Sequence, residues 1–218
     1  LNTYLHKLVK AGERVAICDQ LEDPKTTKTI VKRGVTELIT PGVSLNDGIL
    51  EKKSNNFLAS IYNLKENYGI SFLDISTGEF LSSEGNAAYV DKLLQNFNPS
   101  EVIFSKQKRK LFSETFGDNF HVFHLEDWVF HKDYALETLH KHFDTKNLKG
   151  FGVDHLEHGT IASGAALHYL AETQHSKLKH ITKIARIAED QYVWMDRFTI
   201  RNLELYHSHQ QNAVTLLD

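Results

Sequence analysis

The order of apolar segments along the chain predicts an α/β fold, a mixed β-sheet with helices packed on it. Three observations predict it. Phe57 to Leu64, Ile70 to Ile75 and Glu79-Phe80-Leu81 are strand-like runs joined by short turns, which reads as an antiparallel meander. After them, helix-spaced apolar sets alternate with short apolar runs, giving the order β-β-β-α-β-α-β-α. A largely polar stretch from Val43 to Asn56, with Asn46-Asp47-Gly48 and Ser54-Asn55-Asn56, sets this block apart from what precedes it and is the best linker in the chain.

The N-terminal segment places Tyr4, Leu5, Leu8 and Val9 on one helical face and closes at Gly12, where a left-handed cap is easy. Val15-Ala16-Ile17-Cys18 suits a buried strand. Asp23-Pro24 breaks the pattern, because the residue before proline is pushed away from helix. Ile30-Val31 and Val35 to Thr40 predict a ribbon ending at Pro41-Gly42. Within the meander, the first turn runs through Lys65-Glu66-Asn67 and Gly69, and the second lies at Thr77-Gly78. Asn86 caps a helix with Val90, Leu93, Leu94 and Phe97 on one face. Val102-Ile103-Phe104 reads as a buried strand, followed by a basic helix around Leu111 to Phe116 and a short strand from Phe120 to Leu125. Asp133 caps a helix with Leu136, Leu139 and Phe143, and Thr160 caps an alanine-rich one from Ile161 to Thr173. The helices of the Val90, Leu136 and Ile161 segments are expected to cover one side of the sheet and to leave the other mostly polar. Beyond a basic connector, Tyr192 to Leu205 has extended character and opens something new.

Composition narrows the class. With 218 residues, 41% of them hydrophobic and 24% charged, the chain has the material for an ordinary folded core of one or two domains. Its single cysteine, Cys18, forbids an internal disulfide framework and fits a reducing cytosol. No apolar run approaches the roughly 20 residues needed to span a bilayer, so no membrane role is expected. The start at Leu1 has no targeting pattern and the end at Asp218 no polar tail, which reads as a piece of a longer chain.

A net charge of -3 does not mark a nucleic-acid-binding domain by itself. Basic clusters are present locally. Lys25, Lys28, Lys32 and Arg33 are candidate contacts to a DNA backbone; Lys106, Lys108, Arg109 and Lys110 are candidates for a partner surface; Lys177, Lys179, Lys183 and Arg186 form a third group. A solvated surface face gives the same pattern.

Catalytic and metal constellations are weak. The 13 histidines invite a metal site, but His121 and His124 leave opposite faces of a strand, and His140 and His142 lie about 200° apart around a helix. His155 and His158 share a helix face without a third partner. Gly159-Thr160-Ile161-Ala162-Ser163-Gly164 has the glycine spacing of a phosphate loop, yet Ala165 and Ala166 stand where a lysine and a hydroxyl are needed. The small residues serve close helix packing instead. A meander followed by β-α units also describes RNase H-type nucleases, whose chemistry places carboxylates around two metals, one carboxylate on the first strand. Phe57 to Tyr62 has none, and Asp74 is isolated. No catalytic set and no metal are therefore expected.

The residues themselves say more. Tyr4 to Gln20 (YLHKLVKAGERVAICDQ) with Glu22-Asp23-Pro24 resembles the run that closes the N-terminal mismatch-recognition domain in the MutS family of bacterial DNA mismatch repair proteins. Thr40-Pro41-Gly42 is similar to that domain's exit, and Leu73 to Phe80 (LDISTGEF) to the start of the family's connector domain. Gly150-Phe151-Gly152 and Tyr169 to Gln174 resemble the connector's end. Met195-Asp196, Thr199 to Leu205 and Thr215 to Asp218 resemble the beginning of the core, or lever, domain. Asp19 stands where many members carry Glu, a change that keeps the charge.

The resemblance implies residues 1–42 as the end of the mismatch-recognition domain, 43–56 as linker, 57–176 as an RNase H-like connector, and 177–218 as linker and start of the core domain. It implies that the connector links mismatch binding to the ATPase and docks a MutL-type partner. For the whole protein it implies mismatched double-stranded DNA as ligand, a homodimer, ATP and Mg as cofactors, and a cytoplasmic location. The family's Phe-x-Glu wedge is expected before Leu1, and its Walker-type ATPase and dimerising region after Asp218, so ATP hydrolysis is not expected of this piece. An RNase H-like nuclease and a free-standing nucleic-acid-binding module are the alternatives.

Overall fold

A computed structural model describes residues 2–23, 30–43, 55–174, 178–187, 195 and 197–204. The elements are α1 (Asn2–Lys10), β1 (Val15–Gln20), β2 (Arg33–Ile39), β3 (Phe57–Leu64), β4 (Asn67–Asp74), β5 (Glu79–Gly85), α2 (Ala87–Phe97), β6 (Glu101–Ser105), α3 (Arg109–Phe116), β7 (Val122–Leu125), α4 (Lys132–Phe143), α5 (Glu157–Gln174), β8 (Ala185–Arg186) and α6 (Arg197–Asn202). The strands form a two-stranded β1-β2 ribbon and a six-stranded sheet in the order β7-β6-β3-β4-β5-β8.

In the large sheet β4 alone runs against the others: it pairs antiparallel with β3 and β5, while β3-β6, β6-β7 and β5-β8 are parallel. A meander whose first strand then accepts two crossover strands on its free edge is the RNase H-like arrangement, and the chain has that mixed α/β fold. The β3-β4 hairpin keeps one register from Phe57↔Asp74 to Leu64↔Asn67. Its turn is therefore only Lys65-Glu66, with Lys65 at φ 57°, the left-handed region that tight hairpins use. Gly69 lies inside β4 and not in the turn. A Cβ there would sit 2.0 Å from the carbonyl carbon of His158, so this glycine lets α5 lie directly on the strand.

Alternation along each strand sends side chains to two separate cores. Phe57, Ala59, Ile61, Ile70, Phe72, Val102 and Phe104 pack under α2 and α3 with Val90, Leu93, Leu94, Phe112 and Phe116. Leu58, Leu73, Phe80, Ile103 and Leu125 pack under α4 and α5 with Leu139, Ile161, Ala165, Ala166 and Leu170. The expectation that the Val90, Leu136 and Ile161 helices share one side is thus corrected: α2 lies on the face opposite α4 and α5. Periodicity marks the apolar stripe of a helix but carries no information on which sheet face receives it. β3 and β4 are accordingly buried almost along their whole length.

Caps and ends differ in detail from the sequence reading. Asn86 caps α2 as expected, its Oδ1 accepting the Tyr89 amide at 2.9 Å. Asp133 sits in the first turn of α4, where a negative charge suits the helix dipole, and the cap position is His131. Helix α5 starts at Glu157, so Thr160 is helical and its hydroxyl donates back to Val153 O at 3.4 Å. Strand β1 is present but largely exposed, Cys18 included. Of the segment expected to be extended near the C-terminus, Arg197–Asn202 forms α6 instead, while residues 192–194, 196 and 205 lie outside the described residues. β8 went unexpected: two residues give no period to read.

The ribbon and the sheet meet along a seam. Helix α1 covers one end of the ribbon, Leu5 and Val9 against Ile39. At the other side Val43 is fully buried in the core of the large sheet, and Thr40 is fully buried as well. The described residues contain no helix long and apolar enough to cross a membrane.

Candidate partner-docking site

At the C-terminal ends of the parallel strands β3 and β6 the chain leaves a crevice of about 190 Å³. Parallel strand ends are where open α/β sheets commonly place binding sites. Its floor is aromatic: Phe104 stacks on Phe112 at 4.2 Å between ring centroids, and Tyr68 meets Phe116 edge-on at 5.6 Å. The mouth carries Leu64, which is 53% exposed, and the side chains of Gln107, Lys108 and Asp127. Asp127 is held in place by the Ser105 hydroxyl, which donates to its Oδ1. Just outside, Trp128 is 53% exposed and packs edge-on against Tyr134 and His168.

Of the expected partner-surface cations, Lys108 lines the crevice, Lys106, Arg109 and Lys110 are its neighbours in sequence, and all four are exposed. They are not equivalent. Lys106 pairs with Glu126 at 3.5 Å and Lys110 with Glu114 at 3.7 Å, which neutralises half of the stretch. Lys108 and Arg109 have no ion pair among the described residues and remain available to an acidic partner. Arg109 and Lys106 also act on His124. This ring packs edge-on to Phe104 with a buried, unpartnered Nδ1, and burial together with the two cations lowers its pKa.

The DNA-backbone candidates fare differently. Lys32 and Arg33 are exposed at the start of β2 and are not in the lining of the aromatic crevice, while Lys25 and Lys28 lie outside the described residues. In the third cluster Lys179, Lys183 and Arg186 are exposed, Arg186 meeting His155 Nε2 at 3.0 Å, and Lys177 lies outside the described residues.

The remaining constellations resolve into structure. Asp74 is fully buried at the end of β4, where Oδ1 accepts the amide and hydroxyl of Ser76 at 2.8 and 2.6 Å and Oδ2 the amide of Asn56 at 3.1 Å. Its oxygens are committed to the two turns beside it. Gly159 to Gly164 lies inside α5, where the Gly159 amide donates to the Glu84 carboxylate at 3.3 Å and the Thr160 amide to Leu156 O at 2.9 Å, so the segment forms no phosphate cradle. A Cβ on Gly164 would be 2.5 Å from Ala135 Cα, the contact that lets α4 and α5 cross closely. Among the described residues no three His, Cys, Asp or Glu side chains are grouped to hold a metal ion. The histidines pair instead with their surroundings: His168 Nδ1 with the Tyr134 hydroxyl at 2.7 Å, His142 and His180 with backbone carbonyls of Ile181 and Ile75.

Sequence reasoning missed the polar residues of the seam. Glu101 is 2% exposed, and its two oxygens accept from Thr40 Oγ1 at 2.5 Å, Gly42 N at 3.1 Å and Tyr169 Oη at 2.7 Å. Burial and the Glu101 charge raise the Tyr169 pKa, so the phenol stays a donor at any ordinary pH. Arg14 lies over the Phe123 ring, 3.6 Å from its centre. The available signal was a lone acid heading the apolar run Val102-Ile103-Phe104; its partners are 61 and 68 positions away and share no local pattern.

Comparison with known families gives two matches that follow each other along the chain: MutS domain I over residues 1–48 and MutS domain II over residues 56–182. Curated proteins named DNA mismatch repair protein MutS align over the whole chain, at 72% identity in Flavobacterium psychrophilum, 70% in Flavobacterium johnsoniae and 60% in Parabacteroides distasonis. The chain spans about a quarter of the length of these relatives, 25% in each case. Among solved structures, a Fowlpox virus resolvase in complex with Holliday junction DNA aligns with 52% of this chain and 98% of its own, at 14% identity and a TM-score of 0.34.

Proposed function

Since this chain belongs to the MutS family of DNA mismatch repair proteins, we propose that it is the end of the mismatch-recognition domain and the connector of such a protein, and that the connector couples mismatch binding to the ATPase and docks a MutL-type partner. The division is 1–42 for the recognition domain, 43–56 for a linker, 57–176 for the connector and 177–218 for a linker and the start of the core domain. In the whole protein the ligand is mismatched double-stranded DNA, the assembly a homodimer, the cofactors ATP and Mg, and the location cytoplasmic.

The observation that carries the docking role is the pairing of an apolar crevice with Lys108 in its lining and Arg109 next to it in sequence, neither of them in an ion pair among the described residues. A transient interface is no more apolar than ordinary surface and gains rate and specificity from complementary charge. Leu64 and the crevice supply the apolar contact; Lys108 and Arg109 supply the charge. Lys32 and Arg33 give the ribbon a weak, sequence-independent attraction for duplex phosphates. The test is a cross-linking scan of the full-length protein with single cysteines placed over residues 57–176, in the presence of ATP and mismatched duplex. Cross-links to the MutL-type protein concentrated at positions 64, 107 to 111 and 127 to 128 support the reading; cross-links confined to the ATPase domain overturn it.

A further inference from the structure

We infer that the seam between the ribbon and the connector is a rigid joint, with Glu101 as the residue that positions it, and that displacement of the recognition domain reaches the connector through this joint. The inference rests on the coupling role proposed above and adds where the coupling passes.

Four contacts make the joint. Gly42 approaches Glu101 so closely that a Cβ on it would be 2.7 Å from Glu101 Cβ and 3.2 Å from Leu58 Cδ1. The Glu101 carboxylate then ties Thr40 and Gly42, on the ribbon side, to Tyr169 in the middle of α5. Arg14, from the loop before β1, stacks over Phe123 in β7 and lies 5.5 Å from the Tyr169 ring centre. Gly12 at φ 90° brings the end of α1 against the His121 ring.

Among the described residues Glu101 has no ion pair, and a buried carboxyl group then persists only where hydrogen bonds replace its water. Here all three donors are needed, and two come from the ribbon side. Sliding Thr40-Pro41-Gly42 away from β6 would leave Glu101 Oε2 without its donors in a buried site, so the joint resists partial opening. Because β2 runs directly into residues 40–43, and β6 and α5 belong to the connector core, motion of the ribbon must carry the sheet with it. Buried in the seam, Glu101 acts by holding these segments.

The experiment uses the full-length protein with a mismatched duplex. Wild type, Glu101→Ala, Glu101→Gln, Tyr169→Phe and, as a control for stability alone, Leu93→Ala under α2 are compared. Three quantities are read: affinity for mismatched duplex, mismatch-stimulated over basal ATP hydrolysis, and hydrogen exchange of residues 38–43. Glu101→Ala is expected to raise exchange at 38–43 at least tenfold and to cut the stimulation ratio at least fivefold while mismatch affinity changes less than threefold. Glu101→Gln, which keeps an acceptor for Thr40 and Gly42, retains most of the ratio. Tyr169→Phe, which removes one hydrogen bond without disturbing packing, falls between them. The joint is overturned if Glu101→Ala and Tyr169→Phe keep the wild-type ratio, or if Leu93→Ala lowers it as much. If wild type itself shows no mismatch stimulation, the coupling role fails and the joint with it; if wild type is stimulated and the variants are too, the joint alone fails.

Discussion

The guanidinium of Arg14 lies 3.6 Å above the centre of the Phe123 ring, across the seam between the N-terminal ribbon and the sheet. A half-buried cation on an aromatic face contributes about 1–2 kcal/mol. Arg14→Ala should therefore lower the unfolding free energy by about that amount in urea titration. Arg14→Lys should recover only part of it, because an ammonium lacks the flat face that stacks on the ring. Equal stability of all three would show that the contact contributes nothing.

Gly69→Ala should be among the most damaging single methyl additions. The new Cβ would meet the backbone of His158 and Gly159 at 2.0 to 2.5 Å, and a helix backbone cannot rotate away as a side chain can. Overpacking of this kind costs about 1–3 kcal/mol or more. Gly150→Ala, where nothing lies within 4 Å of the added carbon, should leave the urea midpoint unchanged. A Gly69→Ala protein as stable as wild type would mean that α5 does not rest on β4 this way.

His124 sets part of the acid sensitivity. Burial, with Arg109 and Lys106 beside it, lowers its folded pKa, whereas the unfolded ring titrates near about 6.5. Between the two values the unfolded chain binds more protons, so stability rises with pH there and is lost as pH falls. Unfolding free energies measured at pH 7.5 and 5.5 should differ less for His124→Phe than for wild type. An unchanged difference would remove His124 from the acid response.

Duplex binding by this chain should be weak and blind to mismatches. Phosphate contacts carry no sequence information, and the exposed cations Lys32 and Arg33 offer nothing to insert into a base stack. Fluorescence anisotropy should show less than about tenfold preference for mismatched over paired duplex, roughly 1.4 kcal/mol. Lys32→Ala and Arg33→Ala should each reduce the salt slope by about one. A larger preference would place mismatch readout within these residues.

The elements that were legible in the sequence are those whose signal is local. Asn86 ahead of Val90, Leu93, Leu94 and Phe97 states a cap and a stripe within twelve positions, and α2 follows both. The meander reads from three apolar runs and two turns. Gly69 was misplaced because a glycine serves a turn and a close approach equally well, and only α5, some ninety positions later, decides between them. The side of the sheet that each helix covers is likewise a property of the crossovers and not of the stripe. At the candidate site, the basic stretch was visible as a composition feature, but which cations are free depended on Glu126 and Glu114, one of them in another element. Glu101 and Arg14 were invisible because their partners are distant in sequence, and the crevice because its local pair Phe104 and Phe112 closes a site only where Phe116 meets Tyr68 from another strand.

Partner association of the ATP-bound full-length protein on mismatched DNA tests the docking claim most directly. Surface-plasmon resonance against a MutL-type protein compares wild type, Lys108→Glu with Arg109→Glu, and Lys92→Glu on α2, an exposed cation outside the crevice lining, at low and high salt. Long-range attraction between exposed charges is screened beyond about 10 Å at 0.1 M salt, so a charge-steered site has a definite signature. The double reversal should slow association about tenfold at low salt, less at high salt, and Lys92→Glu should bind as wild type does. Association rates of the double variant within twofold of wild type at every salt concentration would contradict a docking site at this rim.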